Sequence, residues 1–576
     1  MPQNLQKAAY EALKAFEADA DSAMAALSIW GLPFRALYSS MLLIADAAFS
    51  GGRFNAHRTP DVGKGGTTLA RLSLWRDYLS RNGAATKKTL RKDLDAVTPP
   101  KHAEIRQALI YAHFCELMPF AHRGAFQVEQ TGDGFRLSYP TKEAERFEAL
   151  DVIASELALT ALDNSFRVDH AAYLRMIETW PREGGKDFIT SLRAAYDFHL
   201  DNIHADIFVG SEAYERTLGF THDEFRRVRA TLMAYATWCL GMADAAEAGV
   251  IQARDNRQAD YFNTFREWVA PLHSSKQVLS VIDQLTKVPR NRVNKILGFF
   301  QEPAVGGTTI SGEGYLAPIQ VLGDTFLLSP RSLHLLTPER NILYVLNKVD
   351  NDRFNALVSG ELEPSLLRHA CPIFEALPGV AIKANVIWAG REIDLVAYCQ
   401  KTNSAVQVQA KAAIPANGAR MTRQVETNTL KAVEQLQKIE ELTMAEKDEM
   451  IRSVFKVEAE NVQWSSAVLS RSSFGTVKAW EAMEGRAALN LQLLQGIAND
   501  AAGEDAFDLA ALPGRAMKTM TDIAAKGIRS WREETLDVFG TKITIPLLDL
   551  DDREIARYRS ALLRRSGRLP VRKRQA

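Results

Sequence analysis

Two neighbouring polar segments carry the side chains best suited to chemistry. Residues 390–398 read Gly-Arg-Glu-Ile-Asp-Leu-Val-Ala-Tyr, and residues 405–411 read Ala-Val-Gln-Val-Gln-Ala-Lys. Both alternate in the manner of β-strands, in which every second side chain shares a face. If the two strands pair through the short turn between them, Asp394 lies near Gln409 and Lys411. A carboxylate, an amide and an ammonium group would then meet at one edge of a sheet.

These groups suit metal-assisted hydrolysis of a phosphodiester bond. The Asp394 carboxylate can bind Mg²⁺, which prefers oxygen ligands, and the amide oxygen of Gln409 or the carbonyl of Ala410 could be further ligands. Lys411 can polarise the attacking water or stabilise the negative charge that develops on phosphorus-bound oxygens.

The predicted elements around these residues follow the order helix, three strands, helix, strand, at residues 362–377, 380–388, 392–398, 405–411, 420–442 and 462–469. Such an order is typical of an α/β unit. An acidic residue at the N-terminus of the first helix, Glu363 or Glu361, could complete the site.

The motif and its context resemble the PD-(D/E)xK phosphodiesterase superfamily, which has the restriction-endonuclease-like fold, over roughly residues 356 to 475. The closest subtype is the Mrr-like group, in which glutamine replaces the second acid. The resemblance implies that Asp394 is the metal-binding aspartate, Gln409 stands at the variable acid position, and Lys411 is the catalytic lysine. Glu363 corresponds to the glutamate of the first helix. Mg²⁺, or Mn²⁺ in its place, is the implied cofactor.

The function expected from this resemblance is metal-dependent DNA endonuclease activity, in restriction or anti-phage defence. RNA is an alternative substrate, because metal-assisted hydrolysis acts on the phosphodiester group and does not distinguish the two sugars. The alternative is a catalytically inactive protein of the same fold that binds nucleic acid or serves in assembly. A third interpretation is that the two polar strand edges are only the solvated face of an antiparallel sheet.

The rest of the chain is expected to be mainly helical, so the fold class is a multidomain, mainly α protein with a restriction-endonuclease-like α/β domain near the C-terminus. Hairpins are predicted around Gly132-Asp133-Gly134 and around Gly323-Asp324. The expected parts are a helical domain, a domain with a β-hairpin and helices, a small mixed connecting segment, the nuclease-like domain, and a C-terminal helical segment with a basic tail, at residues 1–125, 126–300, 301–355, 356–500 and 501–576.

Composition narrows the class of protein further. The 576 residues contain 70 Lys plus Arg and 70 Asp plus Glu, so a nucleic-acid partner must be held by local basic patches and not by a global positive field. The four cysteines are far apart and form no Cys-x-x-Cys pair, which disfavours a disulfide scaffold and indicates a reducing cytoplasm. No membrane segment is expected. A homo-oligomer or a partner subunit of a defence system is compatible with the large helical part.

Local basic groups are the candidates for contact with nucleic acid. Arg420 and Arg423 begin the helix predicted at residues 420–442, and a helix-turn-helix pattern at residues 278–299 places Arg290 and Arg292 on its second helix. From residue 553 to residue 574 the chain has nine basic residues and one acid. The C-terminal cations expected to contact phosphates are Arg564, Arg565, Arg568, Arg572, Lys573 and Arg574. A tail that serves only solubility would have the same composition.

Truncation after Leu563 removes six cations and tests the role of the tail. Binding to DNA should weaken, and the slope of log affinity against log salt should become shallower by about 0.9 for each lost phosphate contact, or about two to five in total. The measurement is a salt titration of DNA binding by the truncated and the full-length chain. A slope equal to that of the full-length chain would assign the tail to solubility.

Overall fold

The computed structural model describes residues 3–50, 92–95, 97–158, 184–202, 211–252, 257–301, 304–305, 308–309, 317–335, 338–412, 419–551 and 553–558. Its α-helices are, in chain order, α1 Gln3–Ala25, α2 Phe34–Phe49, α3 Pro99–His122, α4 Lys142–Ala158, α5 Gly184–Asn202, α6 Ser211–Ala213, α7 His222–Gln252, α8 Arg257–Val269, α9 Ser275–Thr286, α10 Arg290–Gly298, α11 Pro330–Leu335, α12 Pro338–Val349, α13 Asn351–Leu357, α14 Glu363–Glu375, α15 Ala419–Glu440, α16 Met444–Phe455, α17 Val477–Ala482, α18 Leu491–Ala501 and α19 Leu512–Gly527.

The strands are β1 Gln127–Gln130, β2 Gly134–Ser138, β3 Leu272–Ser274, β4 Ala304–Val305, β5 Thr308–Thr309, β6 Ile319–Leu322, β7 Thr325–Leu328, β8 Val380–Trp388, β9 Arg391–Cys399, β10 Ser404–Lys411, β11 Gln463–Ser470, β12 Ala487–Leu489, β13 Ile528–Val538 and β14 Thr541–Leu550. The chain is thus mostly helical with several sheets, as the sequence predicts. Both predicted hairpins are present, as β1–β2 and β6–β7.

A five-stranded mixed sheet organises the region around residues 363–489. Its strand order is β12-β11-β10-β9-β8. The neighbours β8, β9 and β10 are antiparallel, whereas β10, β11 and β12 run parallel. Together with α14 before β8 and α15 between β10 and β11, this confirms the predicted order of helix, three strands, helix, strand. The central strand β10 is buried along nearly its whole length.

Helices cover both faces of this sheet, and its central strands supply apolar side chains to each face. Leu395 and Val408 belong to the same buried cluster as Leu366 and Phe374 of α14. On the opposite face Val396 joins a cluster with residues of α15 and α16, namely Ile439, Met450 and Ile451. The alternation of side chains along β9 therefore distributes its residues between two cores.

The buried residues form cores that cross the expected domain boundaries. One cluster runs from Phe147 to Ile555 and is continuous across residues 300, 355 and 500. A second cluster joins α1, α2 and α3 to the hairpins β1–β2 and β13–β14. The N-terminal helices and the C-terminal hairpin therefore share one core.

The C-terminal segment expected to be helical is helical only in part. After α19 the chain forms the long antiparallel hairpin β13–β14, and β14 pairs in parallel with β2. Apolar residues alternate with polar ones at Ile543 and Ile545, and Gly540, with a φ of 90°, supplies the left-handed turn position. The expectation of helix was wrong here, because side chains that alternate with a period of two form one apolar face on a strand and not on a helix. Residues 553–558 are helical.

A carboxylate of α4 holds the segment that follows β11. Asp151 Oδ1 accepts hydrogen bonds from the backbone N–H of Phe474 at 2.8 Å, from that of Gly475 at 3.1 Å and from the indole N–H of Trp480 at 3.1 Å. Gly475 has a φ of 114°, and a Cβ at this position would lie 2.7 Å from that of Glu426. The sharp turn and the three donors together anchor the sheet to the preceding helical region.

No single helix among the described residues has the length and apolarity needed to cross a membrane. Residues 6–31 and the helix α2 reach that threshold only as a pair, which is bent by 112°.

Replacing Asp151 by alanine should destabilise the fold because three donors lose their shared acceptor. We expect a loss of about 3 kcal/mol in the free energy of unfolding, about 1 kcal/mol for each of the three hydrogen bonds. Urea denaturation gives the measurement, with Glu143→Ala, at an exposed position of the same helix, as the control. A loss no greater than that of the control would show that the three hydrogen bonds to Asp151 do not contribute to the free energy of unfolding.

Candidate active site

The candidate site lies where β9 and β10 separate. Their backbone pairing runs from Cys399 opposite Ser404 to Leu395 opposite Val408 and goes no further. Beyond that pair, the next link is made by a side chain, because Asp394 Oδ2 accepts a hydrogen bond of 2.7 Å from the N–H of Ala410. The Asp394 carboxylate thus accepts from the Ala410 N–H, which would have donated to a backbone carbonyl if the antiparallel pairing had continued.

The other neighbour of β9 is also irregular opposite Asp394. The recorded pairs are Ala384 with Leu395 and Val386 with Ile393, and Asn385 between them has a φ of 53°. Asparagine tolerates this left-handed conformation better than most residues. Asp394 therefore lies at a local break in the sheet on both sides of its own strand.

Glu363 brings a second carboxylate to the same end of β10. It is the first residue of α14, and the backbone N–H of Ala412 donates a hydrogen bond to its carboxylate. Alternate N–H groups of a strand point towards the same neighbour. Asp394 and Glu363 therefore take two successive donors, those of Ala410 and Ala412, on the side from which β9 has withdrawn.

Lys411 lies between these two donors in the chain. Its backbone carbonyl accepts a hydrogen bond of 3.3 Å from Arg471 N–H on the β11 side, so its main chain faces away from Asp394. Its ammonium group interacts electrostatically with both Glu363 and Asp394 and forms no ion pair with either within the part of the chain that is described. The side chain is half-buried.

Both carboxyl groups have a raised pKa. Burial raises the pKa of Asp394, and the charge of Glu392 adds to this, while the Ala410 N–H and Lys411 act in the opposite direction. Burial likewise raises the pKa of Glu363, Lys411 lowers it, and the charge of Asp394 raises it. A further positive charge near these groups would favour their ionised forms.

Gln409 is almost completely buried, with 1% of its surface exposed. Its amide Nε2 donates to the carbonyl of Glu392 at 3.1 Å, which bridges the gap between β9 and β10. Its Oε1 is buried and has no hydrogen-bond partner among the described residues. A buried acceptor without a partner costs about 1–3 kcal/mol, so a donor or a cation at this oxygen would be favourable.

The donor set fits a hard divalent cation. Asp394 accepts its hydrogen bond through Oδ2, which leaves Oδ1 to bind a cation. The Ala410 carbonyl lies on the same side of the strand as the Ala410 N–H, towards Asp394. No group of three or more His, Cys, Asp and Glu suited to a metal ion occurs among the described residues. Mg²⁺ does not need such a group, because it keeps several waters and is commonly bound through one or two carboxylates.

Two neighbours of the site were not predicted from the sequence. Glu392 acts on both carboxyl groups by its charge, and the turn after β11 meets β10 through Arg471. In this turn Ser470 Oγ donates to the Ser473 carbonyl at 2.6 Å. The sequence indicates the position of Glu392, because residues two apart on a strand share a face and Glu392 is two residues before Asp394. Nothing in the local sequence indicates that the turn after β11 lies beside Lys411.

The basic residues predicted to contact nucleic acid have different surroundings. Arg423 is exposed on α15, and Arg420 belongs to that helix with a side chain outside the described set. Arg290 pairs with Asp283 at 2.6 Å, and Arg292 pairs with Glu224 at 2.8 Å, so both have acidic partners within the fold. The predicted tail contacts, Arg564, Arg565, Arg568, Arg572, Lys573 and Arg574, lie outside the described residues.

Comparison of the chain with family models, with curated proteins and with solved structures finds no match. The site is therefore interpreted from its own geometry.

Replacing Gln409 by glutamate tests whether this residue faces a metal ion. Glutamate lacks the N–H that satisfies the Glu392 carbonyl, so without metal the variant should unfold at a lower temperature. The added charge should make stabilisation by Mn²⁺ larger in the variant than in the wild type. Thermal unfolding with and without Mn²⁺ measures both effects, with Gln424→Glu on the exposed side of α15 as the control. An equal Mn²⁺ shift in Gln409→Glu and in wild type would remove Gln409 from the ligand set.

Proposed function

We propose that this protein is a metal-dependent nuclease that hydrolyses phosphodiester bonds of DNA. The observation that carries the proposal is the gathering of Glu363, Asp394 and Lys411 around the open end of β10. Two carboxylates, a backbone carbonyl and an ammonium group in one place match the needs of hydrolysis at a phosphate. The order of elements around them supports the resemblance to the PD-(D/E)xK superfamily.

Each residue has a distinct task in this proposal. Asp394 Oδ1, the Ala410 carbonyl and Glu363 would hold Mg²⁺, which supplies Lewis-acid activation of the phosphate and of a bound water. Lys411 binds a non-bridging phosphate oxygen or orients the attacking water, and its charge opposes the negative charge that develops in the transition state. Gln409 keeps β9 at a set distance through the Glu392 carbonyl.

DNA is the proposed substrate, with a role in restriction or anti-phage defence. The support is the local basic composition, chiefly the exposed Arg423 and the C-terminal cations. RNA shares the phosphodiester chemistry and is the alternative substrate. A homo-oligomer or a partner subunit would supply further DNA contacts, since the chain as a whole has equal numbers of acidic and basic residues.

A second candidate function is binding to nucleic acid without cleavage, by a protein of the same fold. The burial of Gln409 favours this candidate, because a glutamine whose oxygen does not reach solvent is a poor ligand for a hydrated ion. Nuclease activity is preferred because Asp394, Glu363 and Lys411 are only partly buried and remain reachable.

Incubation with supercoiled plasmid and Mg²⁺ or Mn²⁺ tests the proposal. The wild type should nick or linearise the plasmid, and EDTA should stop the reaction. Lys411→Ala should slow cleavage by about a hundredfold, as expected for loss of one group that stabilises transition-state charge. Lys383→Ala, on the exposed part of β8, is the matched control and should cleave like the wild type.

Asp394→Asn is the sharper test of the metal requirement. It removes the charge but keeps an oxygen that can accept the Ala410 N–H, whereas Asp394→Ala would leave that donor unpaired. Cleavage should disappear while the unfolding temperature changes little. Normal cleavage by this variant, or cleavage in excess EDTA, contradicts the assignment. Metal-independent DNA binding by a wild type that does not cleave would establish the second candidate.

A further inference from the structure

A cavity of about 330 Å³ lies between α3, α4, the turn before α17 and the strand β14. Its volume is in the range of small-molecule sites, near the lower end. It is distant in sequence from the candidate active site, and none of the residues assigned to hydrolysis lines it. Its composition combines an aromatic wall with a single carboxylic acid.

The aromatic wall consists of four rings that meet at steep angles. Phe126 and Tyr139 have ring centroids 5.1 Å apart, Tyr139 and Trp531 are 5.4 Å apart, and Phe120 and Phe126 are 6.4 Å apart. The interplanar angles of these pairs are 53°, 67° and 64°. The four rings are thus inclined to one another, and all of them line the cavity. Each ring face carries partial negative charge that attracts a cation.

Glu148 supplies the formal charge of the cavity. It projects from α4 into the lining, and the described residues offer it no hydrogen bond and no ion pair. Its neighbour Glu145 differs, because Lys142 pairs with it at 2.8 Å. The described lining contains no lysine and no arginine, and its one basic side chain is the imidazole of His113 on α3.

We infer that this cavity binds a small organic cation, with the ammonium group held between the Glu148 carboxylate and the faces of Tyr139 and Trp531. Aromatic rings together with a carboxylate favour a quaternary or alkylated ammonium over a neutral ligand of the same shape, and they repel anions. Burial raises the pKa of Glu148 to about 7, and the nearby Asp151 contributes to this rise. A bound cation would stabilise the ionised form of this carboxyl.

The cavity also touches the segment that leads back to the sheet. Thr476 and Val477 line it, directly after Phe474 and Gly475, whose N–H groups are held by Asp151 one helical turn from Glu148. An occupant would therefore contact both α4 and the segment after β11.

The test is calorimetric titration of the full chain at pH 8 with choline and with its uncharged isostere 3,3-dimethylbutan-1-ol. Choline should bind saturably at one site, at least about tenfold more tightly than the alcohol, because the aromatic faces and the carboxylate attract only the charged probe. This comparison needs no variant and does not depend on nuclease activity.

Variants then assign the site. Glu148→Gln should weaken choline binding by about tenfold and leave binding of the alcohol unchanged. Trp531→Leu should weaken choline binding as well, and Glu143→Gln, an equal change of charge at an exposed position of α4, should not. Absence of choline binding, equal affinity for the two probes, or unchanged choline affinity in a folded Glu148→Gln variant would overturn the inference.

Discussion

The end of β10 must find acceptors for backbone N–H groups that β9 no longer provides, and the candidate site depends on this requirement. An unpaired buried N–H costs about 1–3 kcal/mol, so a strand that separates from its neighbour needs substitutes. Asp394 accepts from Ala410 and Glu363 accepts from Ala412. The hydrogen bonds that stabilise the strand end therefore place two carboxylates within a few residues of Lys411.

The electrostatic state of the site follows from this arrangement. Burial raises the pKa of both carboxyl groups, the charge of Asp394 raises that of Glu363 further, and the charge of Glu392 raises both. Lys411 opposes this effect from the same strand end. A divalent cation bound between these groups would lower the pKa of both carboxyl groups, because it favours both ionised forms.

Packing joins the sheet to distant parts of the chain. Asp151 of α4 fixes the turn after β11, and this turn contacts Lys411 through the Arg471 N–H. The cavity beside Glu148 is lined by α4 and by this segment, through Thr476 and Val477. A chain of direct contacts thus runs from the aromatic cavity through α4 and the turn to the end of β10.

The sequence by itself determined the local elements and the identity of the reactive groups. The period of two in residues 392–398 and 405–411 predicts β9 and β10, and the short turn between them makes their pairing almost unavoidable. Asp394 and Lys411 were identifiable because polar residues interrupt otherwise apolar strands. The hairpin β13–β14 has the same period of two in its sequence, at Ile543 and Ile545, although helix was expected there.

Only the tertiary structure decided how these groups are used. Strand alternation places Asp394 and Gln409 on one face, but it does not reveal that β9 separates from β10, that Gln409 bonds the Glu392 carbonyl, or that its oxygen is buried. Likewise, Glu148 and Trp531 are 383 positions apart and meet only because α4 packs beside the C-terminal hairpin. The physical reason is that hydrogen-bond partners and burial depend on contacts between distant segments, whereas periodicity reports only the local chain.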